Sequence, residues 1–130
     1  MSISPQVTFQ TDYFEPISKE EEETNPGVMG KALANWLVDR LKERGIAIAE
    51  IVPEDFGWMI VVSRKPFMLW LGCGNIESST TEWSIFLAAE LSLIQRFFKR
   101  VNPAPQIEQL RAHVAELVLS IPRVSNIVWE

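Results

Sequence analysis

The stretch PEDFGWMIVVSRKPFMLWLGCG, residues 53–74, decides the fold of this 130-residue chain. Within it, Trp58–Ser63 and Phe67–Cys73 carry apolar side chains on both faces of an alternating pattern, which is typical of strands inside a sheet. The segment Arg64–Pro66 between them predicts a tight turn. We therefore predict a β-hairpin at the centre of a sheet.

Helical periodicity predicts one long helix before this hairpin and one after it. In the first, apolar residues recur every three or four positions after Asn25 and Pro26, which predict an N-cap and a first helical residue. Gly45 predicts its end. The second apolar stripe ends at Pro122. The predicted helices cover Gly27–Arg44 and Pro105–Ser120, and Leu91–Val101 fits a further short helix.

Alternating apolar residues predict further strands on both sides of the hairpin. They cover Val7–Phe14, Ile46–Val52, Trp83–Ala89 and Val124–Trp129. We expect the first of these to be an edge strand or an extended arm. The predicted element order is β-α-β-β-β-β-α-β. It implies one α+β domain over residues 1–130, with a mainly antiparallel sheet of four or five strands packed by the two main helices.

Composition limits the classes of function. The net charge of -5 disfavours nucleic-acid binding, to which Arg96, Lys99 and Arg100 form a small local exception. No apolar run approaches the roughly 20 residues of a membrane-spanning helix. The first residues carry neither a basic leader nor an apolar signal segment, so we expect a cytoplasmic protein.

Cys73, between two glycines, is the candidate nucleophile for an enzyme or small-ligand site. Trp58 and His113 would line such a pocket together with Glu54 and Asp55. His113 lies far off in sequence, and the interpretation we favour is a small buried residue at a strand end. We predict no catalytic residue and no cofactor, and the single His and single Cys predict no metal site.

The five tryptophans and the acidic residues favour a protein-binding surface instead. Trp36, Trp58 and Trp70 fall on predicted core positions. Trp83 and Trp129 lie near a loop and a terminus, so we expect them to be exposed. The alternative is that all five fill the core.

Four segments resemble a family of small bacterial proteins of uncharacterised function. They are TNPGVMGKALANWLVDRL (24–41), PEDFGW (53–58), RKPFMLWLGCGN (64–75) and VSNIVWE (124–130). This chain carries Phe56 where the pattern has tryptophan. The resemblance implies a small helix-plus-sheet domain without an established reaction, and it assigns no functional residue.

Together these patterns predict a non-enzymatic module that binds another protein, with a basic partner expected, through Trp83, Trp129, Glu54 and Asp55. An immunity protein that binds a basic toxin would have this chemistry. The alternative is a small-ligand-binding protein or enzyme with a pocket around Cys73, Trp58 and His113. A third hypothesis is a homodimer that pairs Val7–Phe14 or Val124–Trp129 with a second copy.

Overall fold

The computed structural model describes residues 4–98 and 101–130, and in this part of the chain six strands form one antiparallel sheet. The spatial strand order is β2-β3-β4-β5-β1-β6. The strands are β1 Gln6–Gln10, β2 Glu50–Glu54, β3 Gly57–Ser63, β4 Met68–Asn75, β5 Glu82–Glu90 and β6 Ser125–Trp129. The helices are α1 Glu20–Glu23, α2 Lys31–Glu43, α3 Leu93–Phe98 and α4 Ala104–Leu119.

The α+β class, the antiparallel sheet and the central hairpin are confirmed, because β3 pairs with β4 in the middle of the β2–β5 meander. The predicted count of four or five strands is wrong, and the predicted order lacks the short helices α1 and α3. α3 lies within the predicted Leu91–Val101 helix, of which Lys99 and Arg100 fall outside the described residues.

Two strand predictions differ from the structure. β1 is not an edge strand, because it lies between β5 and β6 and pairs with both. β2 begins at Glu50 instead of Ile46 and includes Pro53. Proline lacks a backbone donor and is therefore accommodated on an edge strand, which is the position of β2 in the sheet.

The two faces of the sheet have different surroundings. Helices α2 and α4 pack on one face and form the core with alternate strand residues. The other set of alternate residues forms a face on which no described helix packs, and we call this the open face. Since successive side chains of a strand point to opposite faces, β4 contributes Leu69, Leu71 and Cys73 to the core, and Trp70 and Gly72 to the open face.

The start of α2 is fixed by a carboxylate ten residues upstream. Glu20 is only 2% exposed. Its Oε1 accepts hydrogen bonds from the backbone N–H groups of Gly30 (2.9 Å) and Lys31 (3.0 Å) and from Trp58 Nε1 (3.2 Å). Its Oε2 accepts one from Ile17 N at 2.6 Å. Glu20 thus satisfies free N–H groups at the positive end of the helix.

The predicted start of the first long helix is therefore wrong. The helix begins at Lys31 with Gly30 as its N-cap residue, and Asn25 instead bonds Asp55 through its side chain. The acidic run Glu20–Glu23 forms α1 and buries its first member. Local sequence rules missed the start of α2 because its capping group comes from a separate turn, ten residues upstream.

Candidate functional site

Three aromatic rings meet on the open face, and we call Phe56, Trp70 and Phe86 the aromatic cluster. The centroid distances are 5.1 Å for Phe56–Phe86, 5.3 Å for Trp70–Phe86 and 6.0 Å for Phe56–Trp70. Phe56 remains 38% exposed, and the other two rings are half-buried. Since no described helix packs on this face, the rings present a contiguous apolar surface to the outside.

Strand register places the rings of this cluster side by side. Phe86 of β5 is opposite Gly72 of β4, and Trp70 is the next open-face residue along β4. Gly72 leaves room for Phe86, because a Cβ there would lie 2.2 Å from the ring carbons of Phe86. Phe56 reaches over from the β2–β3 turn. The GWMIV and LWLGCG segments are therefore apolar on both faces although a helix layer covers only one.

The indole N–H of Trp70 gives the cluster a polar feature. Its Nε1 is buried and has no hydrogen-bond acceptor within the part of the chain that the structure describes. A buried donor without an acceptor carries a free-energy cost of about 1–3 kcal/mol.

Exposed carboxylates are concentrated at one end of the strands. At the end that carries the β2–β3 turn and α1, exposed carboxylates predominate, and we call this the acidic end. They are Glu21, Glu22, Glu23, Glu54, Asp55 and Glu77. The other end carries both signs of charge: Arg64 and Lys65 occupy the β3–β4 turn and Arg96 lies on α3, while the exposed carboxylates Glu50 and Glu90 lie on β2 and β5. Among the described residues, Lys65 and Arg96 form no ion pair, whereas Arg64 pairs with Glu50.

The predicted site tryptophans are not where we expected them. Trp83 is 1% exposed and donates its indole hydrogen bond to Thr11 O at 3.2 Å, so the prediction that it lies on the surface is wrong. Register explains this, since Trp83 pairs with Phe9 on the helix-covered face. Trp129 is half-buried on the same face, with the Arg111 guanidinium 5.5 Å from its ring centroid.

The predicted acidic residues Glu54 and Asp55 are exposed at the acidic end. They immediately precede Phe56 and therefore border the aromatic cluster. Asp55 accepts a hydrogen bond from Asn25 Nδ2 at 3.2 Å. The surface that combines acidic and aromatic groups thus contains Glu54 and Asp55, with Phe56, Trp70 and Phe86 in place of Trp83 and Trp129.

Of the residues of the alternative ligand pocket, His113 does not join Cys73 and Trp58. Cys73 is fully buried and lies opposite Trp58 in the sheet. His113 instead lines a depression of about 160 Å³ beside Val62 and Leu69. Leu69 is four residues from Cys73 along β4, which corresponds to roughly 13 Å. His113 Nδ1 lies 3.1 Å from the Arg44 guanidinium, so its near polar contact is a cation and not the thiol.

We expect Cys73 to be inert in the folded protein. Burial raises the pKa of its thiol, which disfavours the reactive thiolate. Alkylation by iodoacetamide at neutral pH should be at least about 1,000-fold slower than in the unfolded chain, because only a small unfolded fraction exposes the group. Mass spectrometry of samples alkylated with and without concentrated guanidinium chloride measures this ratio. Similar rates in the two samples would restore the Cys73 site as a candidate.

The raised pKa of the Cys73 thiol makes the free energy of unfolding depend on pH. An unfolded cysteine ionises near pH 8.5, whereas the folded thiol keeps its proton above that value. The folded state then binds more protons, so the free energy of unfolding falls as the pH rises above about 8.5. Replacing Cys73 by alanine removes this contribution.

Comparisons with protein-family models, curated proteins and solved structures find no match for this chain. The resemblance described above therefore stays a prediction. Among the described helices, none has the length and apolar character required to span a membrane. The candidate site is therefore assigned from the geometry of the open face alone.

Proposed function

We propose that this chain is a non-enzymatic module that binds another protein through the aromatic cluster and the neighbouring acidic end. One observation carries the proposal: three aromatic rings cluster on a sheet face that no described helix covers, beside exposed carboxylates. Aromatic residues are the usual anchors of protein interfaces, where they fill pockets in the partner.

The charges around the cluster favour one chemistry of partner. Glu54 and Asp55 border Phe56, and the carboxylates of α1 lie at the same end of the molecule. A partner that presents basic side chains around an apolar contact would match this surface in charge. A basic toxin bound by an immunity protein is one partner of this kind.

The test is capture of a partner from native cell lysate by the tagged protein. Phe56→Ser should reduce the captured amount at least about tenfold, which corresponds to the loss of an anchor worth about 1.4 kcal/mol or more. Leu119→Ser is the matched control, because Leu119 is an exposed apolar residue on α4, the helix layer behind the sheet. Equal capture by Phe56→Ser and the unchanged protein would contradict the proposal.

A further inference from the structure

The six described strands carry charge of one sign only, and all of it lies on the open face. Their charged residues are four glutamates, and strand register sets each of them on the same face as the aromatic cluster. They are Glu50 and Glu54 at the two ends of β2, and Glu82 and Glu90 at the two ends of β5. Since β3 and β4 lie between β2 and β5, these open-face glutamates stand at the corners of the area that contains the Trp70 ring.

The area between the open-face glutamates is apolar. The residues that β3, β4 and β5 present there are apolar or glycine, apart from Ser84. They include Met59 and Met68, both half-buried. The next strand, β1, presents two glutamines and a threonine to this face. The apolar area is therefore three strands wide, with roughly 10 Å between the axes of β3 and β5.

We propose that the open face binds one amphipathic α-helix of the partner protein, with the apolar side of the helix on the aromatic cluster and with lysine or arginine on its flanks. This inference rests on the proposed function, because it names the kind of partner segment that the same surface takes. An α-helix with its side chains is about 10 to 12 Å across, which matches the width of the apolar area. Methionine is unbranched and flexible, so Met59 and Met68 can follow the side chains of a bound helix.

Charge favours the basic flanks. Since every charged side chain that the strands present on the open face is a carboxylate, an acidic helix would be repelled. The nearby cations Arg64, Lys65 and Arg96 lie beyond the strand ends, in the β3–β4 turn and on α3. Arg64 pairs with Glu50, and both side chains are half exposed. An exposed pair contributes little to stability, so a partner cation can take the place of Arg64.

The positions of the glutamates set the spacing of the basic residues on the helix. Glu50 and Glu54 are the first and last of the five residues of β2, which separates them by roughly 14 Å. A helix along the strands rises about 1.5 Å per residue, so this distance spans about nine residues. Both basic residues must lie on the flank above β2. We therefore expect lysine or arginine about seven or about eleven positions apart, since these spacings return to the same side of a helix.

Binding of designed peptides, measured by isothermal titration calorimetry, tests the inference. The probe is a peptide of about 18 leucine and lysine residues in which leucine recurs every three or four positions, so that one side of the helix is apolar. The first control peptide has the same composition with leucine and lysine alternating, which favours an extended strand. The second has glutamate in place of lysine. The probe should bind with a Kd of about 10 μM, and each control at least about tenfold more weakly.

Variants of the chain locate the contact. Glu54→Gln with Glu90→Gln should weaken binding of the probe about fivefold to tenfold, because both carboxylates are exposed on the open face. Phe56→Ser should weaken it about tenfold. The matched control is Asp39→Asn with Glu43→Gln, which removes the same amount of charge from exposed residues of α2, on the other face of the sheet. It should change the Kd less than about twofold, and thermal unfolding checks that all variants fold.

Three results would overturn the inference. They are a probe that does not bind, a control peptide that binds as tightly as the probe, and an equal loss of binding in the open-face and α2 charge variants. A chain whose open face is covered by a second copy would be a dimer in light scattering and would not bind the probe.

The capture experiment separates this inference from the proposed function. A partner captured through Phe56, by a chain that does not bind the probe, would overturn the helix and leave the proposed function intact. Binding of the probe with the expected losses, together with capture that does not depend on Phe56, would overturn the proposed function and leave the preference of the open face for a basic helix.

Discussion

Replacing Glu20 by alanine is expected to lower the free energy of unfolding by about 4 kcal/mol. The substitution removes the common acceptor of four hydrogen bonds, two from the start of α2 and one each from Ile17 and Trp58. All four donors then lose this partner, and the bonds from Gly30 and Trp58 are buried, where an unsatisfied donor costs about 1–3 kcal/mol before relaxation. The helix also loses the negative charge at its N-terminus.

Two variants make the Glu20 result specific. Glu20→Gln keeps the shape but brings an amide N–H₂ against N–H donors, so we expect a smaller loss of about 2 kcal/mol. Glu22→Ala changes an exposed carboxylate of the same short helix and should stay within about 0.5 kcal/mol of the unchanged protein. Urea unfolding measures all three. Equal losses for Glu20→Ala and Glu22→Ala would show that the buried carboxylate does not hold α2.

Replacing Gly57 by alanine should be comparably damaging, with an expected loss of about 4 kcal/mol. Gly57 has a φ of 144°, which side-chain-bearing residues rarely adopt. A Cβ at this position would also lie 2.2 Å from the carbonyl oxygen of Cys73 and 3.0 Å from the Cα of Gly74. Both obstacles are backbone atoms of β4, so neither a side-chain rotation nor a small shift relieves them.

Gly45→Ala separates the two costs at Gly57. Gly45 has a φ of 82°, but a Cβ there would meet no described atom within 4 Å. Alanine should therefore cost only the conformational strain, about 1 kcal/mol. The difference between the two variants in urea unfolding isolates the backbone clash. A loss at Gly57 no larger than that at Gly45 would show that the β3–β4 contact is looser than the structure indicates.

The local part of the fold could be predicted from the sequence, and the exceptions have identifiable causes. α2 ends at Glu43 and Gly45 follows its C-cap residue Arg44, as the pattern of apolar residues and glycine predicts. The start of that helix was missed because its capping carboxylate lies ten residues upstream, beyond the reach of local rules. The position of β1 was missed because it depends on which edge of the β2–β5 meander the first residues pair with. The alternation of apolar and polar residues along β1 does not predict that edge.

The candidate site was only half predictable. Glu54 and Asp55 lie in a turn, and turn residues are exposed by default, so their placement on the surface followed from the sequence. Trp70 and Trp83 were exchanged in our expectation: the first was placed in the core and the second at the surface. Both tryptophans lie on strands that carry apolar residues on both faces. Such a pattern does not predict which face the helices cover.

The sequence by itself determined the α+β class, the antiparallel hairpin at the centre, the span of the two long helices to within a few residues, and the acidic character of the β2–β3 turn. These features depend on the periodicity and composition of neighbouring residues. Only the tertiary structure decided that Glu20 caps α2, that Trp83 is buried, and that Phe56, Trp70 and Phe86 gather on an uncovered face beside the acidic end. These depend on strand order, on register and on which face receives the helices, which are set by contacts between residues far apart in the chain.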